Sequence, residues 1–340
     1  MYPSTLPGFL AVFKRHPSIV QNIVSLLIRM LLLFLFFLLL IHPDRSIRFA
    51  SDGLILWYQT VVPTLLPSML LSSLIVQTNA ALGLIHLIHP LLGKLLKTSP
   101  MGTYCFLIGL LCGYPMGAKT CADLIRTNKL SLQEGRYLMA FIHFPSPMFI
   151  TGYICATHLI LPSALPILLA IYLPIFPLSL MARWKYPMKK ISPESVKRRQ
   201  KTTLTPTLLD GIIASSSSVM IKIGIYMMLF TIISRFIMTC SLPPQIGHVP
   251  SDALISGICG ILEMTTGIQL ASQTGLPIII KGCFICFFAA FGGLSVIMQI
   301  QSVLTDSNLS LKHYLPWQFL HGILSSFFFF LFYQVLPFIT

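Results

Sequence analysis

From Ile19 to Ile41 the chain is apolar at every position except Gln21, Asn22, Ser25 and Arg29. A helix over that run can cross a bilayer, which takes about 20 residues at about 1.5 Å each. Runs of the same character recur at Leu54–Val76, Met101–Arg126, Leu132–Thr157, Ile160–Ala182, Leu209–Met238, Ala253–Ser272, Leu276–Val303 and Pro316–Phe338. In lipid every backbone N–H and C=O must be satisfied within the protein, so only helices or a closed barrel can span. A barrel would show short alternating segments, whereas these runs are continuous. The composition agrees: 55% of the 340 residues are hydrophobic, and the mean hydropathy is +0.83. The chain is therefore expected to be an all-α polytopic membrane protein. Ile19–Ile41 exceeds a signal-peptide core and no small-residue cleavage site follows it, so it is expected to stay as the first transmembrane helix. Ala80–Leu96 is shorter and amphipathic and carries His86, His89 and Lys94, which suits the membrane interface.

The formal net charge is +14, from 23 Lys and Arg against 9 Asp and Glu. No basic, aromatic-interleaved domain lies outside the apolar runs, so nucleic-acid binding is not expected. Cytoplasmic loops facing anionic headgroups explain the excess better. The stretch from Arg183 to Lys201 is rich in Lys and Arg, with Glu194 its one acid, and reads as a cytoplasmic linker. The eight cysteines fall almost wholly inside apolar segments, where Cys packs as a small apolar residue. Cys283 and Cys286 have a metal or redox spacing, but no second ligand pair accompanies them.

Between Leu110 and Phe149 the pattern changes. One apolar segment breaks at Gly113-Tyr114-Pro115, the charged residues Lys119, Asp123, Arg126 and Lys129 follow, and a second apolar segment breaks at Pro145-Ser146-Pro147. The second half repeats this order. Cys259-Gly260 aligns with Cys112-Gly113, Phe291-Gly292-Gly293 falls opposite Pro145-Ser146-Pro147, and Asp52-Gly53 and Asp210-Gly211 open the two halves. Paired interrupted segments in corresponding positions point to a transporter-type site at the midplane. The chain thus divides into residues 1–50 (tail and first helix), 51–182 (first repeat), 183–208 (linker) and 209–340 (second repeat).

Charge gives the topology. If Met101–Arg126 is a re-entrant hairpin and the N-terminus is inside, the loops carrying Lys94, Lys97, Arg126, Lys129, Arg136, Lys312 and the linker all fall in the cytoplasm. The loops at 239–251 and 272–276 then fall outside and hold no Lys or Arg. The halves become two inverted repeats with re-entrant or broken helices. If Met101–Arg126 spans fully, the halves are parallel and the N-terminus lies outside.

Breaks near the midplane expose helix ends, whose amides suit anions and whose carbonyls suit cations or hydroxyl donors. The first half brings Gly113, Tyr114, Pro115, Gly117, Lys119, Asp123, His143, Ser146 and Pro147 to such positions. The second brings Glu263, Thr265, Thr266, Gly267, Ser295 and Gln299. These are the candidate binding residues for a small polar solute. Lys119 and Asp123, one helical turn apart, also suit a pair with each other. Glu263 suits a proton or coupling cation, or an ion pair with Lys222. His143 suits ordinary core packing, and Gly292-Gly293 suits either a break or close helix contact. No Gly-x-Ser-x-Gly elbow, His-Glu-x-x-His or phosphate-binding loop is present. The chain is not expected to be an enzyme, and no catalytic residue, metal or cofactor is assigned.

Five stretches carry a resemblance: GLILWYQTVVPTLLPSMLLSSLI from Gly53, GLLCGYPMGAKTCADL from Gly109, EGRYLMAFIHFPSPMFITG from Glu134, GILEMTTGIQ from Gly260 and GGLSVIMQ from Gly292. Together they resemble the YlbJ family of sporulation integral membrane proteins, within the wider nucleoside-recognition or Gate-domain group. That group reads Asn-Asn-Ser-Gly-Pro near the second break, where this chain has His143-Phe144-Pro145-Ser146-Pro147 and keeps only the last proline. The resemblance implies a multi-pass cell-membrane protein of endospore formation. Its role would be either transport of a small polar solute or non-transporting assembly of the spore envelope or cortex. The bilayer, a homo-oligomer or other sporulation membrane proteins are the expected partners.

Overall fold

The computed structural model describes residues 17–77, 81–187, 205–239, 243–246, 249–304 and 307–335. Among these residues helices dominate, joined by turns and irregular segments, and the strands are the short antiparallel pair β1 (Gln245–Ile246) and β2 (Val249–Pro250). It forms two compact units, Met1–Ala50 and Ser51–Thr340. The linker residues 188–204 lie outside the described part.

The first unit holds α1 (Pro17–Ile41) and the start of α2 (Pro43–Leu56). Along α1, Leu32, Phe34, Phe36, Phe37 and Leu40 are all more than half exposed, as suits a helix whose solvent is lipid. Past a π-helical turn at Trp57–Val61 comes α3 (Val62–Gln77). The path bends by 53° between Pro43–Val61 and Leu65–Ile75. The extra residue of the π-turn and the missing N–H groups of Pro63 and Pro67 give the bend its cause.

Next come α4 (Ala81–Leu96), α5 (Pro100–Cys112), α6 (Met116–Arg126) and the short α7 (Leu132–Leu138). The chain turns by 94° between Leu87–Leu96 and Pro100–Cys112. Helix α8 (Pro147–Phe149) continues as a π-helix over Ile150–His158. Then follow α9 (Leu165–Tyr172), α10 (Ile175–Lys185) and the long α11 (Pro206–Met238). The remaining helices are α12 (Ser251–Leu262), α13 (Met264–Gln273), α14 (Ile278–Phe291), α15 (Gly293–Val303) and α16 (Leu311–Val335). Four helical stretches among the described residues are long and apolar enough to cross a bilayer: Leu165–Lys185, Pro206–Met238, Ile278–Val303 and Leu311–Gln334. Counting each of the two bent pairs as one span raises the number to 6.

Two helical hairpins stand out. In the first, α5 and α6 fold back on each other, so Met101–Arg126 is not one straight span. Gly109 lies on Gly117, with a Cβ built on Gly117 falling 3.2 Å from the Gly109 Cα. In the second, α12 and α13 fold back at Glu263. A Cβ on Gly267 would fall 2.1 Å from the Gly260 Cα, closer than any relaxation of side chains could accommodate. The glycine pairs flank both turns. Gly260 takes the place in its hairpin that Gly109 takes in the first, and the second turn falls at Glu263, three residues past the Cys259-Gly260 pair that the sequence sets against Cys112-Gly113. Asp52-Gly53 and Asp210-Gly211 also lie in unlike surroundings. Asp52 pairs with Arg235 at 3.4 Å and Gly53 packs on Met228, while nothing lies within 4 Å of a Cβ on Gly211.

Candidate functional site at the helix breaks

Four interruptions of helix come together. The first, Gly113-Tyr114-Pro115, needs glycine at its head: Gly113 has φ of 74°, and a Cβ there would fall 2.6 Å from the Ser146 amide nitrogen. The Tyr114 amide donates to the Phe144 carbonyl at 3.1 Å, so this break lies directly against the second one, the irregular segment before Ser146. The Tyr114–Pro115 peptide is cis. Ser146 closes the second break by accepting a hydrogen bond from the Phe149 amide at 3.2 Å, with Pro147 in the first helical position.

The third break is Glu263. Its backbone is extended between two helices, and its carboxylate caps the start of α13. The oxygens accept from the Thr265 amide at 3.0 Å, the Thr266 amide at 2.7 Å, the Thr266 hydroxyl at 2.8 Å and the Thr265 hydroxyl. The fourth is Gly292-Gly293, both with positive φ, so this pair is a true break between α14 and α15. Gly293 sits beneath the last carbonyls of α12, with the Gly260, Ile261 and Leu262 oxygens each 3.2 Å from where its Cβ would be.

Three side chains tie the halves across these breaks. The Tyr114 hydroxyl donates to the Met264 sulfur and reaches the Ala289 carbonyl at 3.4 Å. The Tyr153 hydroxyl donates to the Thr265 carbonyl at 3.1 Å. The Gln318 amide donates to the His143 carbonyl at 2.9 Å and also to the Ala290 carbonyl, joining the second break to the end of the helix before the fourth.

The other expected residues separate into two groups. Lys119 and Asp123 pair with each other at 3.0 Å along α6, and Asp123 meets Arg126 at 3.3 Å; they lie down the helix and not in the turn. Arg126 also donates to the Val303 carbonyl at 3.1 Å, holding the ends of α6 and α15 together. Lys222 is exposed and no described carboxylate pairs with it, so Glu263 is engaged by its own helix start instead. Gly117 and Gly267 act in hairpin packing. Ser295 and Gln299 are buried one turn apart on α15, the amide donating to the hydroxyl at 3.2 Å. His143 is fully buried with its ring edge-on to Tyr314, centroids 4.6 Å apart. Neither ring nitrogen has a partner in hydrogen-bond geometry, although the Met139 carbonyl lies toward the ring.

Helix α16 supplies residues that the sequence reading did not assign to the site. Tyr314, Gln318, His321 and Ser325 are all buried, and one nitrogen of His321 meets the Ile171 carbonyl at 2.8 Å. The Tyr314 hydroxyl and the second nitrogen of His321 have no partner among the described residues. The signal was present: these four polar residues recur at steps of three and four along a mostly apolar helix, which puts them on one inward stripe. Among the described residues no group of three or more His, Cys, Asp or Glu is placed to hold a metal ion.

No family model matches the chain, and no solved structure matches it. The sporulation integral membrane protein YlbJ of Bacillus subtilis (strain 168) is 26% identical over 341 residues, covering 91% of this chain and 82% of that protein.

Proposed function

We propose that the chain belongs with YlbJ, to which it is 26% identical, and is a permease-like membrane protein of endospore formation that moves a small polar solute through the meeting point of its helix breaks. The observation that carries this reading is the convergence of all four interruptions, linked by Tyr114, Tyr153 and Gln318. Irregular backbone at membrane depth is tolerated only where it is buried in protein or faces a polar cavity. Paired broken helices are how transporters build a midplane site. In this reading Tyr114, His143, Ser295, Gln299 and Tyr314 face the solute, Glu263 with Thr265 and Thr266 holds the second hairpin turn, and the chain performs no bond chemistry. The halves are inverted copies in the cell membrane, with the linker 183–201 on the cytoplasmic side.

A second reading has its own support. The turns are closed by the protein's own caps and glycine contacts, as a packed, non-transporting assembly factor would require.

Sided cysteine labelling separates the two. In a cysteine-free background in sealed vesicles, Lys94→Cys and Asn128→Cys should label from one side and Gln245→Cys and Gly275→Cys from the other. Met116→Cys and Met264→Cys should label slowly from water and be protected by a candidate solute. If the two turn positions never react while the loop positions do, the transport reading fails and the assembly factor stands.

A further inference from the structure

Helix α11 carries one charge where a membrane helix should carry none. Lys222 stands about 18 Å along the helix from Asp210 and about 20 Å from Arg235, and no other charged residue lies between those two. It is thus near the centre of the span. The inward face of α11 is defined by buried Ser216, Val219 and Ile223, and by the Trp57 indole, which donates to the Met220 carbonyl at 3.1 Å. Lys222 points the other way, on an exposed stripe with Ser215, Ser218, Ile225 and Leu229.

An ammonium at that depth facing hydrocarbon is expensive, and such residues pair with a countercharge. Among the described residues no carboxylate is placed to serve. Glu263 caps α13, Glu134 accepts from the Ser99 amide, Asp123 pairs with Lys119 and Arg126, Asp52 pairs with Arg235, and Asp252 bonds the amide of Ala253. Asp44, Glu194, Asp210 and Asp306 all fall outside the apolar cores of the spans in sequence. A second copy does not serve either. Two copies related by an axis along the membrane normal present the same patch to each other and would bring Lys222 against Lys222.

We propose that the outward face of α11 around Lys222 docks a transmembrane helix of a different protein, one that carries an Asp or Glu at mid-bilayer depth. Ser215 and Ser218 are small enough to let that helix approach closely, and their hydroxyls can bond across the contact. The surface lies opposite the packed face of α11 and does not depend on the transport reading.

The test is site-directed photo-crosslinking of the full chain in its native membranes. Benzoylphenylalanine replaces Ser218 or Ile225, and the crosslinked peptide is sequenced by mass spectrometry. The expected adduct is an apolar segment of another membrane protein with a carboxylate within about one helical turn of the crosslink. Its yield should fall at least about tenfold with Lys222→Met or Lys222→Glu and be kept with Lys222→Arg, as loss of an ion pair requires. Lys222→Met removes a charge from a span, so it should accumulate normally. Changing the partner's acid to lysine should restore the adduct in Lys222→Glu. An adduct to a second copy, to lipid alone or to a helix lacking a carboxylate overturns the proposal, as does no adduct or a yield indifferent to Lys222→Met.

Discussion

Glu263 gives the sharpest test of the site as built. Its side chain is 2% exposed, and its two oxygens take four hydrogen bonds from the first turn of α13. In Glu263→Gln one oxygen stays as an acceptor and can keep the three bonds made by the oxygen nearer Thr266. The new amide then faces the Thr265 N–H donor to donor, a loss of about 1–3 kcal/mol for one buried mismatch. In Glu263→Ala all four bonds go. Thr265 and Thr266 stand in the first turn of α13, with no helical turn before them to take their hydroxyls, and their two amides are stranded in a buried position. The expected cost is about 3–5 kcal/mol, above the usual cap value of about 0.5–2 kcal/mol. Glu263→Asp keeps a good capping side chain and should fall between wild type and Gln. The assay is reversible unfolding in mixed micelles, followed by circular dichroism. If Ala costs no more than Gln, the carboxylate is not the cap described here. If Gln unfolds like wild type but abolishes function, the charge of Glu263 acts beyond the capping role described here.

Three further outcomes follow from the packing. Gly267→Ala sets a Cβ against the Gly260 backbone and should cost about 3 kcal/mol or abolish accumulation, whereas Gly275→Ala, with nothing within 4 Å, should be silent in the same unfolding assay. Gln318→Leu leaves the His143 and Ala290 carbonyls without their donor and should cost about 2 kcal/mol while leaving the helix content measured by circular dichroism unchanged. Arg126→Ala removes both the Asp123 pair and the Val303 contact. Because the pair is half exposed, it should change stability by less than about 1 kcal/mol yet raise hydrogen exchange at the ends of α6 and α15.

The breaks that were legible in the sequence are those made by local backbone chemistry. Gly113-Tyr114-Pro115 and Pro145-Ser146-Pro147 announce themselves because proline removes donors and glycine admits a positive φ. Gly292-Gly293 is read the same way once aligned. Glu263 is different. No glycine or proline stands at that turn, and the helix stops because a side chain competes for the amides of the next one, an effect visible only in three dimensions. This is why the sequence pattern sets Cys259-Gly260, and not Glu263, against Cys112-Gly113. The pairing of Lys119 with Asp123 follows from their spacing, whereas the direction of Lys222 depends on which face of α11 meets Trp57, a contact distant in sequence. The polar stripe of α16 was readable as a pattern, but its partners at Ala290, His143 and Ile171 were not.

The glycine pairs have a consequence for movement. Where Gly109 meets Gly117 and Gly260 meets Gly267, the two arms of each hairpin approach backbone to backbone, with the Ile142 carbonyl seated against the first pair and the Phe288 ring against the second. Such close backbone contact leaves the arms little room to slide on each other. In the transport reading each hairpin travels as one stiff wedge, and opening between the halves occurs along its flanks, where the Tyr114, Tyr153 and Gln318 hydrogen bonds would break.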